Sequence, residues 1–118
     1  MIQLKRITDS PVAEDGARVF VERQWPRGVE KDAAKLEEWT KDAAPSDLLR
    51  DWFAGDAAKW ETFRKRYFKE LSAKPKEKSI ERLLQFARRG TLTLLHTAAD
   101  ETHNAAAALK DYLEGAKE

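Results

Sequence analysis

A chain of 118 residues admits one domain with a modest core and leaves no room for a second independent one. Hydrophobic residues make up 42% and charged residues 36%, while four Trp, five Phe and two Tyr supply enough burial to exclude a disordered chain; with no cysteine, disulfides, thiol catalysis and thiolate metal sites are excluded too. Lys and Arg number 22 against 21 Asp and Glu, and a net charge of +1 gives no overall field to gather nucleic acid or membrane, so any anion binding must be local.

In chain order, Ile2 to Ile7 alternates loosely between apolar and polar and reads as a first strand, and the N-terminal stretch has no signal-peptide core. No apolar run approaches the roughly 18 residues a membrane span needs, so the expected compartment is the cytoplasm. Thr8 to Asp15 is loop chemistry. It leads into a second strand built on Ala17, Val19, Phe20 and Val21. Glu30 to Ala44 is ambiguous between helix and strand, because Leu36 and Trp39 fit a helix face while LEEWT also suits a short strand. Ser46 is placed to cap a helix over Asp47 to Ala54, with Leu48, Leu49, Trp52 and Phe53 as its apolar stripe. Asp56 starts the next helix, on which Trp60, Phe63, Tyr67 and Leu71 share a face, and Ile80, Leu83, Leu84 and Ala87 mark a third. Thr91 to Leu95 reads as a central parallel strand, and a last helix follows over Asn104 to Leu113, capped by Asp100 or Thr102. Strands alternating with helices predict an α/β domain: a mostly parallel sheet of three or four strands with helices on both faces.

Two clusters could carry chemistry. The first follows the second strand and holds Glu22, Arg23, Trp25 and Arg27, with Pro26 and Gly28 forcing the backbone out of regular structure. The second lies between the last strand and the last helix and holds His96, Thr97, Asp100, His103 and Asn104. In a parallel sheet both reach the carboxyl edge, where ligands bind. Two guanidiniums and a helix N-terminus suit a phosphate or carboxylate. Arg23 and Arg27 would hold the anion, Arg6 and Asn104 would contribute to binding, and Trp25 would cover an apolar part. Glu22, Asp100 or His103 would act as acid or base.

Each has a plainer alternative. Glu22 and Arg23 would form structural ion pairs with Lys5 or Arg6, Trp25 would be a core aromatic under a loop, Asp100 a cap, His96 a buried satisfied ring and His103 a solvent-facing one. A metal held by His96, His103 and Asp100 lacks a third strong ligand at a recognisable spacing, and neither a metal nor a cofactor is expected. A second reading makes Arg64, Lys65, Arg66, Arg88 and Arg89 a nucleic-acid surface, against which the balanced charge counts. A third makes the chain a protein-interaction domain whose arginines brace loops.

The stretches KRI, DGARVFVERQWPRGVEK, APSDLLRDWF, WETFRKRYFKEL and LLHTAADETHNAAAALKDYL, together with Trp39 and Lys41, resemble the DUF488 family, in particular its short YeaO-like members, over nearly the whole chain. The resemblance implies a compact α/β fold with signature residues at Arg6, Arg18, Arg23, Trp25, Pro26, Arg27, Gly28, Lys41, Ser46, Asp100, His103 and Asn104. It implies no particular reaction. The chain departs from the family pattern with Glu22 where Asp is common, His96 where Tyr is frequent and Ala99 where Lys is frequent. The last change removes a cation from the expected pocket.

Overall fold

The structure, a computed structural model, describes residues 1–117. Four strands, β1 (Ile2–Arg6), β2 (Ala17–Phe20), β3 (Glu38–Trp39) and β4 (Leu92–His96), form one sheet in the order β1-β4-β2-β3, and every neighbouring pair is parallel. The helices are α1 (Lys31–Ala34), α2 (Asp47–Phe53), α3 (Trp60–Leu71), α4 (Glu77–Arg89) and α5 (Ala105–Lys117). The parallel α/β architecture expected from alternating strands and helices is the one observed.

β4 is the central strand because all five of its residues are buried and both its edges are paired, which suits a run of leucines. It runs one residue further than Leu95, since His96 pairs with Arg6 of β1. Leu92 and Leu94 face the main core together with Ile2, Val19, Phe63, Tyr67, Leu83 and Leu109. The opposite face carries Phe20, Leu95 and Ile7 under Trp25, Leu36 and Trp39, with α1 contributing only Ala34. The four longer helices therefore supply the main core and the short α1 with its flanking loops covers the second face.

The ambiguous segment from Glu30 to Ala44 holds both answers: a one-turn helix, then a two-residue strand, then a 3-10 turn over Lys41–Ala43. Pairing with β2 creates that strand, through Glu37 N to Arg18 O at 2.8 Å and Thr40 N to Phe20 O at 2.8 Å. α3 and α4 follow their apolar spacing, with Phe63, Tyr67 and Leu71 buried on one and Ile80, Leu83, Leu84 and Ala87 on the other. α2 corrects its expected stripe. Leu49 and Phe53 are buried, but Leu48 is 85% exposed, because adjacent residues on a helix point about 100° apart.

At the amino-terminal ends of the strands, Gly16 has φ +61°, and a Cβ there would lie 2.2 Å from the carbonyl oxygen of Thr91. Only glycine permits this approach of the loop to β4. Beside it, Asp15 is buried against Arg18 at 2.7 Å and Lys5 at 3.0 Å, while Arg18 also donates to Ala34 O at 2.8 Å. Burial alone would raise the Asp15 pKa, but hydrogen bonds from Lys5, the Val12 amide and Arg18 outweigh it and hold it below the usual carboxylate range.

Candidate ligand-binding site

β2 exits toward α1 on the second face, and β4 exits toward α5 on the main one. Neighbouring parallel strands whose connections leave to opposite sides open a crevice at their carboxyl ends. Here the crevice is a cavity of about 570 Å³, lined by Glu22 to Gln24 after β2, His96 to Asp100 after β4, the start of α5, and the end of α2.

Arg23 enters from the β2 side. Its Nη2 donates to Pro45 O at 3.4 Å, and its Nε lies 3.5 Å from Asp47 Oδ1. That Nε is buried and makes no hydrogen bond, the one such side-chain atom among the described residues. The Asp47 carboxylate offsets part of the guanidinium charge, and the side chain, 35% exposed, presents a forked donor to the cavity that suits an anion.

His96 is buried and its Nδ1 accepts from the Ala98 amide at 3.1 Å. Burial, the largest influence, lowers its pKa, against an opposing pull from Glu22. The neutral ring therefore carries its proton on Nε2. Asn104, and not Asp100 or Thr102, caps α5: its Oδ1 accepts from Ala107 N at 2.8 Å and its Nδ2 donates to Asp100 O at 2.8 Å. Asp100 instead ties the turn before the helix, accepting from Thr102 N at 2.9 Å and His103 N at 3.0 Å. Those two amides hold its pKa down to about 2. Its other oxygen meets His103 Nδ1 at 3.1 Å, and the His103 ring stands edge-on to Trp60 at 5.3 Å. Glu22 has both oxygens engaged by Thr97, from the amide and the hydroxyl, each at 2.7 Å.

Of the residues singled out in the sequence, Glu22, Arg23, Asp100, His103 and Asn104 line this cavity together. Arg6, Trp25 and Arg27 do not. Arg6 braces the loop from outside, donating to Ala98 O at 3.0 Å and Ala99 O at 2.8 Å and pairing with Glu101 at 2.9 Å. Trp25 folds to the second face, its indole N–H on Val29 O at 2.8 Å and its ring 5.3 Å from both Phe20 and Trp39. This is the core-aromatic alternative, reached because the chain bends over Glu22–Gln24, between the end of β2 and Trp25; Gly28, with φ +78°, turns the chain again after it. Arg27 is exposed on that turn. Glu22 and Arg23 pair with neither Lys5, which binds Asp15, nor Arg6. Among the described residues no group of three His, Asp or Glu is arranged to hold a metal ion.

The sequence did not point to the third wall, where Pro45, Arg50 and Phe53 face the same cavity. Its available signal was the spacing of Arg50 and Phe53, one turn apart on a helix, but nothing local says what that face meets. Of the basic set on α3 and α4, Arg64 pairs with Asp111 and Arg88 with Glu81, while Arg66 lies over Trp52.

The family model described as the inactive DUF488-N3 subclade matches residues 1–118. The chain belongs to that family. It is 41% identical to the uncharacterised protein YeaO of Escherichia coli strain K12 over 95% of this chain and 96% of that one. It is also 37% identical to the uncharacterised proteins Mb3100c of Mycobacterium bovis and Rv3073c of Mycobacterium tuberculosis strain H37Rv, over 59% of each chain. No solved structure matches. No helix among the described residues is long and apolar enough to cross a membrane.

Proposed function

We propose that this DUF488 domain binds a small molecule through an anionic group, carboxylate or phosphate, in the crevice between the carboxyl ends of β2 and β4. The reading rests on the Arg23 guanidinium at the cavity wall, which the chain itself holds only through long contacts, 3.4 Å to Pro45 O and 3.5 Å to Asp47. Around it stand the Nε2 proton of neutral His96 and the first turn of α5, whose amides carry partial positive charge. Pro45, Phe53, Ala98 and Ala105 give the other walls an apolar character, so the ligand carries an apolar or ring portion, as in a nucleotide or an aromatic acid. The size is in the range of small-molecule sites, roughly 300–1,000 Å³.

Binding without turnover fits the side chains better than catalysis. Both oxygens of Glu22 are already occupied by Thr97, and Asp100 is held by its own turn at a pKa of about 2, far below that of a base working near neutrality. The word inactive in the description of the matching family model agrees with this.

The test is a thermal-shift screen of nucleoside phosphates, sugar phosphates and mono- and dicarboxylates. A ligand present at 100 times its Kd adds about 2.7 kcal/mol, a shift of several degrees for a domain of this size. The expected hit loses that shift in Arg23→Ala and keeps it in Arg27→Ala. A screen without hits, or a hit indifferent to Arg23→Ala, removes the proposal.

A further inference from the structure

α2 has a second, outward side. Leu48 is 85% exposed there, and Trp52, one turn along, is half-buried; with Leu49 they form the floor of an open groove of about 580 Å³ between α2 and α3. The far wall is basic. The Arg66 guanidinium lies 4.5 Å from the centre of the Trp52 ring, the Lys59 ammonium approaches the same ring at 5.0 Å, and Lys69 follows Arg66 along α3.

Among the described residues neither Arg66 nor Lys69, the two cations that line the groove, has a carboxylate partner within 4 Å, while Arg50 and Arg64 on the same two helices do. The groove's own carboxylate, Glu70, is already engaged at both oxygens by Ser46, from the amide at 2.8 Å and the hydroxyl at 2.6 Å. A single exposed leucine is unremarkable on a surface. A leucine beside a tryptophan in a hollow, under cations that lack counter-charges, is a combination of apolar and positive character awaiting its complement. Trp and Arg are the residue types that carry most interface energy, and cations resting on an indole face have less freedom to lose on association.

We propose that this groove docks an acidic amphipathic segment of a partner protein, with its apolar side chains on Leu48, Leu49 and Trp52 and its carboxylates on Arg66 and Lys69. The mode is that of a helix laid in a groove. A nucleic acid would use the cations and the indole but leave the aliphatic Leu48 in water. The docking surface is separate from the ligand cavity and does not depend on what the cavity holds.

The experiment is selection of a random 16-residue peptide library, displayed on phage, against the full chain, with a 16-nucleotide single strand and phosphatidylserine vesicles run alongside. Enriched peptides are expected to interleave Asp or Glu with Leu, Ile, Phe or Trp. A synthetic copy of one should lose at least tenfold in affinity on Leu48→Asp and on Arg66→Glu and weaken as salt rises. Both side chains are exposed, so unchanged melting temperatures separate lost docking from lost folding. No enrichment, enrichment without acidic residues, or binding that survives both substitutions overturns the proposal. So does binding of the oligonucleotide or the vesicles that these variants abolish while no peptide is selected.

Discussion

The two ends of the sheet treat an arginine in opposite ways. At the amino-terminal end Arg18 is 3% exposed and saturated: Asp15 at 2.7 Å, Ala34 O at 2.8 Å and Asp9 O at 3.4 Å surround it, and Lys5, Gln3 and Thr93 complete the network on Asp15. At the carboxyl-terminal end Arg23 is 35% exposed and loosely held, by Pro45 O at 3.4 Å and Asp47 at 3.5 Å, beside an open cavity. The first arrangement leaves nothing for a ligand to do and serves the fold. The second retains polar capacity that the chain itself does not use, and such leftover capacity distinguishes a binding wall from a brace.

Breaking the first end should give the largest effect. Arg18→Met leaves Asp15 buried with only Lys5 for a charge partner, and the expected loss is about 3–5 kcal/mol in urea unfolding. Arg23→Ala removes a partly exposed pair and should lower stability by less than about 1 kcal/mol. Equal losses in the two variants would erase the contrast. Next in size, Trp25→Ala strips the second face of a ring packed on Phe20 and Trp39 and should cost about 2–3 kcal/mol, while any ligand found for the cavity binds as before. Lost binding at unchanged stability would return Trp25 to the site.

The smallest effect concerns His96. Its folded pKa lies below the unfolded value of about 6.5, so the unfolded chain takes up the proton first as pH falls. The stabilising contribution of the neutral ring is complete above that value and is lost as pH drops toward the folded pKa. Unfolding free energies measured between pH 5 and 8 should therefore decline at the acid end, and His96→Gln should flatten the decline. A slope unchanged in the variant would assign it elsewhere.

Much of this arrangement was legible in the residues. β1, β2 and β4 announce themselves through apolar and β-branched runs, and two polar clusters following buried parallel strands must share an edge, which is how Arg23 and His103 come to line one cavity. Position along the chain did not reveal which face a side chain takes once the strand has ended. Trp25 stands two residues from Arg23, yet the bend over Glu22–Gln24 sends its ring to the other face of the sheet, and Arg27 ends on an exposed turn. β3 was illegible for a different reason: two residues hold no periodicity, and partner backbone alone defines them. Leu48 was assigned inward because four apolar residues in a seven-residue helix look like one stripe, although they span more than one face.

The missing methyl at Gly16 has reach beyond its own turn. A side chain there would wedge against the Thr91 carbonyl and prise the second and fourth strands apart where they begin. Those strands run to Phe20 and His96, where the walls of the cavity begin, so the bare α-carbon at one extremity belongs to the pairing that aligns the other.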